Sequence, residues 1–226
     1  MKDNEAFDRK IFEEDQQIHF LIGLDEAGRG PLAGPLSIGL FVQARQAAFV
    51  EGVTDSKKMS PSGRRRAFLR LKREEFVTWA VSLIPPRVID EVNIYEATRK
   101  GMEELLLSLP RRILDKSLIL VDAMNLRLPG LSVISIVRGD SLSYTVGCAS
   151  IMAKEVRDQY MEAVALRYPG YHFEHNRGYP TKGHLRFLRM AGPTPIHRMS
   201  YRPVRESTLQ AEMRQQLTLP VVKEEM

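Results

Sequence analysis

The chain of 226 residues is long enough for one substantial core, and its 43% hydrophobic and 27% charged residues are typical of a globular protein. No apolar run reaches the length of a membrane span and the first residues lack a signal-peptide core, so we expect neither membrane insertion nor secretion. The single cysteine, Cys148, excludes an internal disulfide, reads as a packed small residue and fits a cytoplasmic location. A net charge of +5 suggests a polyanionic partner without establishing one.

The first strand ends in two adjacent carboxylates. Residues 1–17 are polar and are expected to form a loosely held lead-in to this strand, which we place at His19–Leu24. Asp25 and Glu26 follow, and because side chains alternate along a strand, they converge only if the strand stops or bulges there. Converging carboxylates repel each other unless a divalent cation lies between them. The pair alone leaves open a magnesium or manganese site and an ordinary strand end.

Strands and helices alternate along the rest of the chain. Apolar runs predict further strands at residues 36–42, 76–84, 118–122 and 132–137. Helical spacing and helix-start signals predict helices at residues 61–73, 89–109, 141–168 and 182–190, with a last helix at 207–217. Residues 171–181 are expected to form a loop. Continuous apolar strands separated by helices favour an α/β fold, with a mixed central sheet flanked by helices and a C-terminal helical extension.

Basic residues crowd the predicted helix at 61–73. They are Arg64, Arg65, Arg66, Arg70, Lys72 and Arg73. Such a cluster can contact a phosphate backbone, and it can equally be the solvated face of a helix. The cluster does not choose between these interpretations.

Asp122 and Asp140 each follow an apolar strand, as Asp25 does. Ligands of open α/β sheets gather at strand ends, so we expect these carboxylates to share one site with Glu26. Four such groups suffice to hold two divalent ions about 4 Å apart, the arrangement used for in-line displacement at phosphodiesters. Three further acids, Glu91, Asp115 and Asp158, lie in or beside predicted helices, where surface or capping roles account for them.

The chain resembles bacterial ribonuclease HII, a type 2 ribonuclease H. The resemblance rests on motifs that occur in the order of that family between about residues 20 and 204. These motifs are Asp25–Pro31, Asp55–Lys58, Val121-Asp122, Gly139–Ser141 followed by Ala149–Asp158, Gly178–His184, and Gly192–Arg198.

The resemblance implies a ribonuclease H-like fold and endonucleolytic cleavage of the RNA strand of RNA-DNA hybrids. It also implies incision at ribonucleotides embedded in duplex DNA, products with 3′-hydroxyl and 5′-phosphate ends, and a role in DNA replication and repair. The cofactor would be Mn2+ or Mg2+ in a two-metal site. We expect a monomer whose partners are these nucleic acids.

Individual roles also follow from the resemblance. Asp25, Glu26, Asp122 and Asp140 match the metal-binding acids of the family, and Gly28, Arg29 and Gly30 match the turn that recognises the 2′-hydroxyl at the junction. Tyr179 matches the tyrosine that packs on the sugar or base, although the residue alone reads as an ordinary loop aromatic. Phosphate contacts are expected at Ser56, Lys57, Lys58, Lys182 and Arg198, with surface charge as the alternative for each.

The chain departs from the family pattern at Arg138, where lysine is common, and at Pro180 and Gly183 in the tyrosine loop. These departures bear on duplex contacts more than on the reaction. We assign residues 18–204 to the catalytic domain, with a substrate-contacting loop at 171–204, and residues 205–226 to a C-terminal tail.

The sequence leaves two alternatives open. One is another ribonuclease H-like nuclease, including type 3 ribonuclease H, although the short segment before the first strand argues against type 3. The other is a non-catalytic nucleic-acid-binding module, which would leave the strand-end acids unexplained.

Overall fold

The computed structural model describes residues 3–53, 56 and 58–209. The strands are β1 (Phe20–Ala27), β2 (Leu36–Ala44), β3 (Val77–Ile84), β4 (Ser117–Asp122) and β5 (Val133–Ile136). The helices are α1 (Asp3–Glu14), α2 (Pro61–Leu71), α3 (Pro86–Val92), α4 (Ile94–Leu107), α5 (Arg111–Leu114), α6 (Gly139–Leu142), α7 (Tyr144–Ala165), α8 (Phe173–Asn176) and α9 (Lys182–Ala191). Residues 202–209 are helical as well, and the rest of the helix predicted at 207–217 lies outside the described residues.

The strands form one mixed sheet in the order β3-β2-β1-β4-β5. β1, β2 and β3 pair antiparallel, whereas β1-β4 and β4-β5 pair parallel. Because β1 and β4 are parallel neighbours, their C-terminal ends meet at the same edge of the sheet. The predicted α/β fold with a mixed, helix-flanked sheet is confirmed.

Both faces of the sheet are covered by helices. On one face the central strands pack against α3 and α4, with Met102 and Leu106 fully buried among strand side chains. On the other face α7 lies unusually close to the strands, because glycines face it: a Cβ on Gly23 would lie 2.4 Å from the carbonyl oxygen of Thr145. A Cβ on Gly39 would lie 2.1 Å from the Ala149 oxygen. The neighbouring Cys148 is buried, as predicted.

The expected loosely held lead-in is wrong, because residues 3–14 form helix α1. Its apolar side buries Phe12 against Leu21, Leu120 and Val146. Asp8 reaches the start of α7, where one of its oxygens accepts hydrogen bonds from the Thr145 backbone N–H at 2.8 Å and hydroxyl at 2.6 Å. A carboxylate in this position satisfies an N–H group that the helix itself leaves unpaired.

Two predicted helices are interrupted by capping residues. The helix expected at 89–109 is divided at Asn93, whose φ is 70° and whose side chain accepts hydrogen bonds from Tyr95 and Glu96. The helix expected from residue 141 is divided at Ser143, which accepts from the N–H of Val146 and starts α7. Both residue types compete with the helical backbone for hydrogen bonds, and helical periodicity does not reveal this. By contrast, the predicted start of α2 is confirmed, with Ser60 as N-cap and Pro61 in its first turn.

A candidate metal site and ribose-reading cleft

Three carboxylates meet where β1 and β4 end. One oxygen each of Asp25, Asp122 and Asp140 lies within 4.8 Å of the others, a spacing that could hold a metal ion. Asp25 belongs to β1, Asp122 is the last residue of β4, and Asp140 comes from α6, directly after β5. The parallel pairing of β1 with β4 and of β4 with β5 therefore assembles the site that the strand-end pattern predicts.

Glu26 lies beside this cluster and is not one of its three members. The expected stop or bulge at Asp25 and Glu26 is wrong, since β1 pairs in register with β2 as far as Ala27. The two side chains therefore alternate about the strand, and Glu26 lies 3.4 Å from the guanidinium of Arg29. Its role as a fourth metal ligand stays a prediction.

The environment of Asp25 suits a cation. Burial raises the pKa of its carboxyl well above the usual range, and the neighbouring Glu26 and Asp122 raise it further, while a hydrogen bond with Ser150 lowers it. Its Oδ2 atom is buried and accepts no hydrogen bond from the described residues. A divalent ion would supply the missing partner and relieve the repulsion, and a ligand set made only of oxygen suits magnesium or manganese.

Helix α7 contributes two residues, Ser150 and Lys154, that belong to the Ala149–Asp158 motif but have no predicted role. The Ser150 hydroxyl lies 2.7 Å from that of Ser56, and Ser150 lowers the pKa of the neighbouring Asp25 carboxyl. Lys154, one turn further on, lines the same cleft and lies 2.6 Å from Asp158. The spacing of four residues, which puts two side chains on one helix face, is the signal that could have identified this pair.

The cleft beside the acids has a volume of about 320 Å³. Its lining combines the acids Asp25 and Glu26, the turn from Gly28 to Gly30, and side chains of Ser56, Arg64, Ser150, Lys154 and Tyr179. A Cβ on Gly30 would lie 3.6 Å from the ring of Tyr179, so the turn and the tyrosine form adjoining walls. The structure thus brings the predicted recognition elements and two of the acids, Asp25 and Glu26, to one cleft.

A pair of buried histidines supports Tyr179 from behind. His184 Nδ1 lies 2.9 Å from the Tyr179 carbonyl oxygen, and His184 Nε2 lies 3.0 Å from His197 Nε2. The N–H of Thr194 donates to His197 Nδ1, which fixes His197 as the donor to His184 and His184 as the donor to Tyr179. Burial lowers the pKa of both rings, to about 3 for His197. Both rings therefore stay neutral at neutral pH and hold the tyrosine backbone.

The prediction that Arg198 contacts a phosphate is wrong. Its side chain is fully buried, and its guanidinium donates to the carbonyl oxygens of Gly28, Arg29 and Gly34. Arg157 is buried in a similar way and donates to the carbonyls of nearby residues, Ala33, Pro35 and Arg177. The arginine in this motif therefore stabilises the turn, and its sequence context gives no sign of burial.

The other predicted phosphate contacts differ in exposure. Lys58 and Lys182 are exposed, and Ser56 is buried in the cleft wall. Lys57 lies outside the described residues. In the basic segment, Arg64 is buried in ion pairs with Glu155 and Asp158 of α7. This arginine therefore belongs neither to a phosphate-contacting cluster nor to a solvated helix face.

A mixed sheet in this order, with acids at the ends of adjacent parallel strands, defines an α/β protein of the ribonuclease H class. The model of the ribonuclease HII family matches residues 22–204, and the chain belongs to that family. It is 38% identical over 199 residues to ribonuclease HII of Caldicellulosiruptor bescii, covering 86% of this chain and 94% of that protein. It is 43% identical over 185 residues to the Halalkalibacterium halodurans protein, covering 82% and 68%.

Solved structures agree with this assignment. The ribonuclease H2 structure from Pyrococcus horikoshii aligns with a TM-score of 0.66 at 26% identity, covering 87% of this chain and 99% of that one. A Bst-RNase HIII structure in complex with Mn2+ shares the fold, with a TM-score of 0.63 at 19% identity and coverage of 87% and 71%. The chain is therefore a ribonuclease H that acts on the RNA of RNA-DNA hybrids, and the non-catalytic alternative is wrong.

No helix among the described residues is both long and apolar enough to cross a membrane. The expected monomer and the cytoplasmic location stay predictions.

Proposed function

We propose that this ribonuclease H hydrolyses RNA strands by a two-metal mechanism and incises at single ribonucleotides embedded in duplex DNA. The observation that carries the proposal is the meeting of three carboxylate oxygens within 4.8 Å beside a cleft walled by the glycine turn and Tyr179. Asp25 and Glu26 line the same cleft as the glycine turn and Tyr179. The products would carry 3′-hydroxyl and 5′-phosphate ends, and the role would be in DNA replication and repair.

Asp25, Asp122 and Asp140 would hold divalent ions, with Glu26 as a fourth ligand at the edge of the cluster. Held by these carboxylates, Mg2+ or Mn2+ would supply activation of a water and stabilisation of the leaving oxygen. The backbone N–H of Glu26, which donates to Asp25 Oδ1 at 2.7 Å, and the neighbouring Ser150 orient the Asp25 carboxylate. These contacts hold the ligand oxygens in place before an ion or substrate arrives.

Recognition of the substrate falls to the other wall of the cleft. Only the 2′-hydroxyl distinguishes RNA from DNA at a given nucleotide, and the exposed turn of Arg29 and Gly30 brings backbone groups close enough to contact it. The ring of Tyr179, 43% exposed, can stack on the sugar or base. Lys58 and Lys182 are the exposed cations proposed to contact phosphates, and the proposal for Ser56 and Lys57 is retained.

The metal proposal is tested with Asp25→Asn and Asp122→Asn. Loss of one ligand should lower the cleavage rate by more than about 100-fold, since even an outer-shell partner of a metal site contributes 10–100-fold. Binding to the hybrid should persist. The matched control is Asp115→Asn, which removes a carboxylate paired with Arg111 on the protein surface. Normal turnover by either site variant would refute the metal assignment.

Substrate class is tested with two duplexes that differ only in one ribonucleotide. The enzyme should incise the ribonucleotide-containing duplex at that residue and leave the all-DNA duplex intact. Equal incision of both would refute the recognition role of the Gly28-Arg29-Gly30 turn and Tyr179. The ends are read by extension with a polymerase, which requires a 3′-hydroxyl.

A further inference from the structure

The glycine turn is held from its buried side by a single guanidinium. Arg198 Nη2 donates to the Gly28 oxygen at 2.6 Å, and Nη1 donates to the Arg29 oxygen at 2.9 Å. Nε and Nη2 of Arg198 also donate to the Gly34 carbonyl oxygen at 3.1 and 3.0 Å. The same side chain therefore holds both ends of the loop from Gly28 to Gly34. Charge-assisted hydrogen bonds of this kind are stronger than neutral ones.

The hydroxyl of Tyr201 completes this support. It donates to the Arg29 oxygen at 2.6 Å and accepts from Arg198 Nη1 at 3.0 Å. The Arg29 carbonyl therefore has two donors, and a guanidinium and a phenol fix one another in place. Tyr201 is half-buried, with its ring near the Arg198 guanidinium.

Holding these carbonyls determines where the neighbouring N–H groups point. The C=O of Gly28 shares a planar trans peptide with the N–H of Arg29, and the C=O of Arg29 shares one with the N–H of Gly30. In a trans peptide the two groups point in opposite directions, so carbonyls directed at Arg198 send both N–H groups away from it. Within the part of the chain that the structure describes, neither N–H donates to a protein acceptor. Both residues are exposed.

We propose that Arg198 and Tyr201 are positioning residues that orient the two peptides of the turn, so that the N–H groups of Arg29 and Gly30 meet the 2′-oxygen of the substrate ribose. This inference rests on the proposed recognition of ribose by the turn. It assigns selectivity to a pair of side chains that lie behind the turn and do not touch the substrate.

Asp90 of α3 anchors the same segment from outside the cleft. Its Oδ2 accepts from the N–H of Met199 at 2.9 Å, and its Oδ1 accepts from the N–H of Ser200 at 2.9 Å and from the Ser200 hydroxyl at 2.5 Å. These contacts fix the backbone between Arg198 and Tyr201. Removing them should therefore loosen the turn without altering any group that lines the cleft.

The test varies the enzyme and the substrate together. Tyr201→Phe removes only the hydroxyl, and Tyr168→Phe is the control, because it removes the same atom from another half-buried ring of the same apolar cluster. Each enzyme cleaves a duplex with one ribonucleotide and a duplex in which that nucleotide carries 2′-fluorine, a much weaker acceptor. Tyr201→Phe should lower kcat on the ribonucleotide about three- to tenfold, the effect of one lost hydrogen bond, and should affect the 2′-fluoro substrate less.

The outcomes separate the two proposals. Equal cleavage of both duplexes by the unaltered enzyme would refute ribose recognition, and this inference with it. If the unaltered enzyme discriminates and Tyr201→Phe discriminates equally well, only the inference is overturned. An equal loss on both substrates, accompanied by a lower melting temperature, would mean a merely structural role and would also overturn it.

A second variant keeps the inference testable if Tyr201→Phe proves unstable. Asp90→Ala should reduce the same discrimination, whereas Glu91→Ala, its exposed neighbour on α3, should not. Unchanged discrimination in Asp90→Ala at an unchanged melting temperature would contradict the anchoring of the turn.

Discussion

Gly28 and Gly30 flank one arginine in the turn, yet they tolerate a side chain very differently. Gly28 has φ +96°, and a Cβ there would lie 2.1 Å from the Nε atom of buried Arg157. Gly30 has no such φ, and its Cβ would make an ordinary contact at 3.6 Å with Tyr179. A side chain at Gly28 should therefore destabilise the fold, whereas one at Gly30 should affect only the cleft wall.

We predict that Gly28→Ala destabilises the protein and that Gly30→Ala does not. The backbone conformation alone should cost Gly28→Ala roughly 1–3 kcal/mol, and displacement of Arg157 adds to this. The Gly30→Ala variant should melt near the temperature of the unaltered protein. It should lose cleavage of embedded ribonucleotides, because the added methyl group narrows the cleft where the ribose would bind. Thermal melts and cleavage assays of both variants check this, and equal melting temperatures would contradict it.

At the residue level, the sequence predicts which residues form the acidic site better than it predicts which charged residues are buried. Asp25, Asp122 and Asp140 could be predicted because each follows an apolar strand, and strand ends converge by topology. Arg198 was misassigned because a basic residue in a polar, proline-rich segment looks exposed. Only the fold reveals that several backbone carbonyls surround it.

Helix α1 is attached to α7 by one buried carboxylate, and this attachment should depend on pH. Burial raises the pKa of Asp8 from its ordinary 3.8 to about 6, although its hydrogen bonds with Thr145 and Ser143 oppose the rise. Between these values the folded protein binds a proton that the unfolded chain does not, so the contribution of Asp8 to stability falls as pH rises from about 4 to 6.

We predict that Asp8→Asn removes this pH dependence. The loss of stability between pH 4 and pH 7 should be smaller in the variant by up to about 3 kcal/mol, since each pKa unit corresponds to about 1.4 kcal/mol. Comparing the variant with the unaltered protein cancels the contribution of the active-site acids. Denaturant unfolding at both pH values measures the difference, and parallel pH profiles for the two proteins would contradict the prediction.

Elements with strong local signals could be predicted, whereas their interruptions and attachments could not. The strands were identified as apolar runs and α2 by its N-cap and proline. The divisions at Asn93 and Ser143 depend on one side chain bonding to a nearby N–H, which helical spacing does not encode. Helix α1 was missed because its few apolar residues gain stability only by packing on β1 and β4.

At the scale of the whole molecule, the length of strand β4 separates the acidic site from the opposite edge of the sheet. β4 begins beside Lys116 and ends at Asp122, so these residues lie at opposite edges of the sheet. The acids and the turn occupy one edge, and exposed Lys182 begins α9 three residues after Tyr179, which lines the cleft. The net charge of +5 is therefore less informative than the position of each cation relative to this edge.

This separation predicts how individual lysines affect the salt dependence of binding to an RNA-DNA hybrid. Each phosphate contact releases about one counterion, so Lys182→Ala should reduce the slope of log K against log salt by about 1. Lys116→Ala removes the same charge from the far edge and should leave the slope unchanged, because long-range attraction is screened within about 10 Å at 0.1 M salt. Affinities measured by fluorescence anisotropy over a range of salt concentrations, with catalysis blocked by Asp122→Asn, give both slopes. Equal slopes for the two lysine variants would mean that Lys182 contributes only net charge, and the duplex would then have to approach the cleft from another side.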